Sequence, residues 1–267
     1  SELELKPVSV LRVVPAKGLP VKRVDIYYSV DPDPRARFWR DAGARQNGKT
    51  WSAKLPVMDL KRPLFAFANV YYQLPKPVAL PRNKKVQEVC ISSLFHEAKP
   101  AALKAAGVKT AGGSERVIDD FKRGFHDWFT INGNHRPLWQ HWTRKLTDPK
   151  WRGPDGTRLA LTLQSEKPNL LAFVLKENAW RNYRGKRREY VAEARVKGEV
   201  AETVTLGLSD FKSTTDGASP KSWAEMDQLG FCAKYEVRGP KPQVFAAESW
   251  RGDQPVFKRL EWRVSAD

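Results

Sequence analysis

Short runs of alternating apolar and polar residues, each closed by glycine or proline, recur along this chain and leave room for one convincing helix. Residues 9–14, 24–30, 50–55 and 64–72 alternate in this way, with Gly18, Pro20, Pro32, Pro34, Gly48, Pro56 and Pro63 between them. A period of two places successive side chains on opposite faces of a strand. Closely spaced short strands with turn signals between them indicate a β-sandwich. Residues 86–94 read as its last strand, which gives a first module over 1–95.

Residues 97–106 are rich in alanine, leucine and lysine and form the best helical segment, with Gly107 placed to end it. A small glycine-containing stretch over 110–114 marks the boundary, so 96–114 reads as a short helix and linker. Further strands are expected at 117–121, 158–163, 170–175, 189–196, 203–208, 230–237 and 257–264. No amphipathic helix is visible after Pro149. A second module of strands and long loops over 115–267 fits a jelly-roll sandwich, and the fold class expected is all-β.

The chain carries 47 Lys and Arg against 30 Asp and Glu, a net charge of +17. The excess is +11 over residues 1–113 and +6 over 114–267. Such a field favours polyanions: nucleic acid, anionic polysaccharide or an anionic surface. No apolar run is long enough for a membrane-spanning helix, and no signal peptide is visible. The first residues read as mature sequence, so the chain reads as a piece of a longer protein. Cys90 and Cys232 fall in different modules and are expected as buried free thiols, with a bridge between them as the alternative. No GxSxG, phosphate loop or HExxH occurs. His135 and His141 lie in a tryptophan-rich region without a neighbouring carboxylate cluster. The pairs Asp119 with Asp120 and Glu225 with Asp227 have the residue types of a glycosidase dyad, but adjacent carboxylates are ordinary surface features.

Several segments share an order. Val117-Ile-Asp-Asp-Phe121 leads to Trp128, and Gly156-Thr-Arg-Leu-Ala-Leu161 follows. Then come Leu206-Gly-Leu-Ser-Asp-Phe211 and Ser222-Trp-Ala-Glu-Met-Asp-Gln-Leu-Gly-Phe231, and a last strand closes on Trp262. Over about 115–267 this resembles the galactose-binding-like jelly rolls, which include several families of carbohydrate-binding modules. The resemblance implies that Phe121, Phe211, Trp223 and Leu229 are core. The first module, through Val24-Asp-Ile-Tyr-Tyr-Ser-Val-Asp-Pro-Asp-Pro-Arg-Ala-Arg-Phe-Trp39, resembles the Ig-like β-sandwiches that follow catalytic domains in secreted bacterial α/β-hydrolases of the acetyl-xylan-esterase and dienelactone-hydrolase kinds.

Two surfaces have the residue types for a sugar. In 176–188, expected as a loop or hairpin tip, Trp180 and Tyr183 suit stacking on a pyranose. Asn178, Arg181, Asn182 and Arg184 suit hydroxyls or acidic groups. The competing reading is a solvated basic hairpin with Trp180 tucked beneath it. In 132–151, Trp139, Trp142 and Trp151 lie among His135, Arg136, Arg144 and Lys145. Trp139 and Trp142 are three apart and face opposite sides of a strand, so at least one of them can be exposed, although core filling is the favoured reading for each. The fold resembled commonly holds a structural Ca²⁺, for which Asp119, Asp120 and Glu261 have the oxygens. Ordinary surface or capping carboxylates are the alternative.

The expectation is thus a non-catalytic accessory region of a secreted hydrolase that binds polysaccharide, acidic or neutral, and requires no cofactor. Its partners would be that glycan and a catalytic domain elsewhere in the same polypeptide. Its location would be secreted or periplasmic. An inert spacer, an undetected glycosidase or esterase, and sequence-independent nucleic-acid binding rank behind it in that order. The last lacks any RRM, KH or helix-turn-helix pattern.

Overall fold

In a computed structural model the residues described are 1–35, 37–82, 84–132, 139–179, 187–238 and 241–264, with backbone alone for 130–132. They form two compact units, Ser1–Gly113 and Ser114–Asp267. The chain is nearly all β, and every strand ladder among the described residues is antiparallel. No helix among them is long and apolar enough to cross a membrane.

The first unit contains β1 (Glu2–Glu4), β2 (Ser9–Val13), β3 (Val21–Ser29), β4 (Arg40–Asp41), β5 (Arg45–Asn47), β6 (Thr50–Leu55), β7 (Leu64–Leu80), β8 (Lys84–Ser92), β9 (His96–Ala98) and the helix α1 (Pro100–Ala105). One sheet has the order β1-β2-β6-β5. The other runs β4-β3-β7-β8, with β9 also paired to β7. Alternation decides which side chains meet between them. Leu11, Val13, Ala53 and Leu55 of the first sheet pack with Val24, Ile26, Tyr28, Leu64, Ala66, Ala68 and Val70 of the second. The segment expected as a linker belongs to this core. Ala98 pairs with Leu64, and Leu103 of α1 is fully buried. Because 96–98 is a strand, the helix is shorter than the sequence suggests. It opens with Pro100 in its first turn, and Gly107, at φ +67°, follows its end.

The second unit contains β10 (Val117–Asp119), β11 (Phe129–Asn132), β12 (Trp139–Thr143), β13 (Thr157–Gln164), β14 (Asn169–Glu177), β15 (Arg188–Val196), β16 (Ala201–Leu206), β17 (Lys212–Ser213), β18 (Met226–Cys232), β19 (Tyr235–Val237), β20 (Gln243–Phe245) and β21 (Val256–Val264). Two sheets, β10-β21-β13-β16 and β11-β12-β18-β14-β15-β17, face each other. Phe257 of β21 stacks on Phe231 of β18 across the interior, with ring centroids 5.7 Å apart. Phe121, Phe211, Trp223 and Leu229 are all buried. The β19–β20 hairpin lies over the other side of the six-stranded sheet. There Trp142, Ala172, Val174, Val191 and Cys232 pack against Tyr235, Val237, Phe245 and Ala246. The side chain of Gln140 donates to the Lys234 carbonyl at 3.0 Å, and the Tyr235 hydroxyl to Glu189 at 2.7 Å. A second sequence expectation changes here: both cysteines are free, but only Cys232 is buried, and Cys90 is exposed on β8.

Candidate ligand-binding surfaces

The residues expected to hold a sugar on the second unit divide into two groups. Trp180, Arg181, Asn182, Tyr183 and Arg184 lie outside the described residues, as do His135 and Arg136. Asn178 is half-buried, just past β14, in a left-handed conformation at φ +52°. Its neighbour Ala179 donates its N–H to Asp227 at 3.0 Å.

The tryptophans of β12 correct the sequence reading. Trp139 and Trp142 do point to opposite sides of the strand, yet both are buried, and so is Trp151. Trp139 faces the interior, where it meets Trp250 edge-on at 5.0 Å and Phe257 at 5.8 Å. Trp142 faces the hairpin, 5.8 Å from Tyr235, with the Lys176 ammonium 4.5 Å from its ring centroid. All three tryptophans within these thirteen residues are therefore buried, and Trp139 and Trp142 fill opposite sides of one sheet. Among the described residues of the second unit no Phe, Trp or Tyr side chain is exposed.

The calcium expectation fails on the chemistry of the donor set. Asp119 is filled by donors: Phe121 N–H at 2.8 Å, Trp128 Nε1 at 2.7 Å and Lys145 Nζ at 2.5 Å. Asp120 pairs with Lys122 at 3.1 Å, and that contact holds its carboxyl below the usual range. Glu261 lies between Arg259 at 2.6 Å and Arg263 at 2.9 Å. Partial burial opposes ionisation of Glu261, but the two guanidiniums outweigh it and lower its pKa. Each carboxylate already has a cation. Among the described residues no three His, Cys, Asp or Glu gather as metal ligands.

The surface that sequence reasoning missed is on the first unit. The side of β3 and β7 turned away from the core carries Arg23, Asp25 and Tyr27 beside Phe65, Phe67, Asn69 and Tyr71. The ladder aligns Tyr27 with Phe67, and their rings stack at 5.5 Å. Trp39 enters from the connection before β4 and meets Phe67 edge-on at 4.9 Å and Phe95 at 6.0 Å. Phe95 stacks on Phe65 at 5.6 Å, and the Arg37 guanidinium lies 3.7 Å from the Phe65 ring centroid. Arg37 is held there by donating to the Asp31 carbonyl at 2.7 Å. Tyr27, Trp39 and Phe67 are half-buried, Phe65 is buried, and Phe95 is 52% exposed.

Hydrogen-bonding groups border these rings. Ser92 donates to the Asn69 side-chain oxygen at 2.8 Å, and Asp25 accepts from Arg23 at 3.3 Å. Partial burial, with Asp25 and Asp41 nearby, pushes the Tyr27 hydroxyl up to about 12, so it stays a neutral donor and acceptor. Apolar ring bodies beside polar groups give a face that can stack on a ring with an apolar side while bonding its hydroxyls. The sequence signal was present in the alternation of β3 and β7, which puts Tyr27, Phe65, Phe67 and Tyr71 on the side that Val24, Ile26 and Ala66 leave.

No family model and no curated protein matches the chain. Among solved structures it is similar to a family 11 carbohydrate-binding module from Clostridium thermocellum in complex with a β-1,3-1,4-mixed-linked tetrasaccharide. That likeness has 12% identity, covers 57% of this chain and 96% of that one, and has a TM-score of 0.33. The family 11 module of the cellulosomal cellulase Lic26A-Cel5E of the same organism gives 13% identity, 58% and 97% coverage and the same TM-score. A likeness to tripeptidyl peptidase 2 has 9% identity, a TM-score of 0.22, and covers 96% of this chain and 18% of that one.

Proposed function

We propose that this chain binds a polysaccharide without transforming it, and that the outward side of the β3–β7 sheet is its binding face. The observation that supports this is the run of half-buried rings, Tyr27, Phe67 and Trp39, with the exposed Phe95, bordered by Asn69, Asp25 and Arg37. The core between the two sheets of the unit is filled from the opposite side of the same strands. Binding is by ring stacking and hydrogen bonds. The net charge of +17 favours glycans bearing carboxylate or sulfate groups, with neutral glycans as the alternative. In this reading the chain is an accessory region of a secreted or periplasmic hydrolase.

Affinity electrophoresis through gels containing mixed-linkage β-glucan, xylan, pectate or a sulfated galactan tests it. The protein is expected to be retarded in at least one gel. Trp39→Ala with Phe67→Ala is expected to abolish the retardation while near-native unfolding is kept. No retardation in any gel, or retardation that survives both substitutions, removes the proposal.

A further inference from the structure

We propose that the Lys145 ammonium stands in the second unit where a bound metal ion would otherwise sit, and that shortening this side chain turns its oxygen cage into a site for a hard cation such as Ca²⁺. The cage is built from three elements. Strand β10 bulges against β21: Val117 pairs with Glu261 and Asp119 with Leu260, which leaves Ile118 as the extra residue. A bulge frees backbone groups from the ladder, and the Ile118 carbonyl accepts from Lys145 Nζ at 3.3 Å. The next residue, Asp119, turns the chain by accepting the Phe121 N–H, with Phe121 at φ +52°. Its other oxygen takes Lys145 Nζ at 2.5 Å, and Asp127 adds a carboxylate oxygen at 3.0 Å.

Two carboxylates and a main-chain carbonyl are the ligand types of a calcium site. Here they surround a nitrogen whose side chain is only 5% exposed. The cage adjoins a cleft of about 260 Å³ lined in part by Glu115, Asp120, Arg123, His126 and Asp127, which leaves space for an ion and water once the lysine stem is removed. A tethered cation is present at every metal concentration, whereas an ion must be bound from solution. The folded second unit is therefore indifferent to chelators.

The test uses the full chain. Thermal unfolding of the unmodified protein is expected to be the same in EDTA and in millimolar CaCl₂. Lys145→Ala in EDTA is expected to unfold roughly 10 °C lower, because two carboxylates lose their buried partner. Millimolar Ca²⁺ is expected to restore about half of that loss by binding the folded state. A second readout is Tb³⁺ luminescence excited through Trp128 and Trp151, which line the cage. It is expected in Lys145→Ala, and absent from the unmodified chain and from Lys145→Ala with Asp119→Asn. If Lys145→Ala folds only in Ca²⁺, the proposal stands. If it stays unfolded with and without Ca²⁺, or takes up neither ion, or if the unmodified chain itself is stabilised by Ca²⁺, the proposal falls.

Discussion

The six-membered ring of Trp142 lies on the backbone of Gly230, so close that a Cβ at 230 would stand 2.5 Å from two of its carbons. The two residues are ladder partners on β12 and β18, in the middle of the six-stranded sheet. Only a residue without a side chain allows the indole to lie flat there. Gly230→Ala is expected to destabilise the second unit by about 2–3 kcal/mol in urea unfolding, the cost of forcing extra volume into a packed site. Trp142→Leu in the same chain is expected to cost less than the sum of the two single changes, since the clash is gone.

Exposure separates ring substitutions that affect binding from those that affect folding. Phe95→Ala, at a 52% exposed position, is expected to change unfolding by less than about 1 kcal/mol yet weaken glycan retardation. Trp142→Ala, at 2% exposure, is expected to cost about 3–5 kcal/mol. Its glycan retardation, measured where the protein is still folded, is expected to be unchanged.

Glu189 gives the second unit an acid-sensitive contact. Burial opposes its ionisation, but Lys176 at 3.3 Å, the Tyr235 hydroxyl and Arg187 outweigh burial, and its pKa falls below the ordinary 4.5. The folded carboxyl thus binds a proton less readily than the unfolded one. The stability it contributes is full above about pH 4.5 and is lost as pH falls through the lower, folded value. Glu189→Gln leaves Lys176 without its carboxylate. At pH 7 it is expected to cost about 3 kcal/mol, and its unfolding free energy is expected to fall less steeply below pH 4.5 than that of the unmodified protein.

The two thiols are expected to react on separate timescales. Cys90 is exposed and Cys232 is buried, where loss of solvent pushes its pKa far up. A thiol reagent at pH 8 is expected to modify one equivalent rapidly under native conditions and the second only with unfolding. Rapid reaction of both would contradict the burial of Cys232.

The strands of both units were legible because alternation and turn residues are local signals. Residues 158–163, 170–175 and 257–264 lie within β13, β14 and β21. What each strand faced was not legible, because that depends on elements remote in sequence. Trp139 and Trp142 were correctly placed on opposite sides of a strand, but nothing in 132–151 announces that Tyr235–Val237 and Gln243–Phe245 pack over one of those sides. Asp119 was legible as an oxygen donor. That its partner is Lys145 depends on a contact 26 residues away. The outward rings of β3 and β7 follow from the alternation itself, whereas most of the tryptophans lie in the other unit.

Where the β19–β20 hairpin roofs the six-stranded sheet, the second unit is three layers deep. A strand in the middle layer has no wet side, and β18 accordingly runs from Met226 to Cys232 without one solvent-facing residue. Molecules in the surrounding water reach none of the residues of β18.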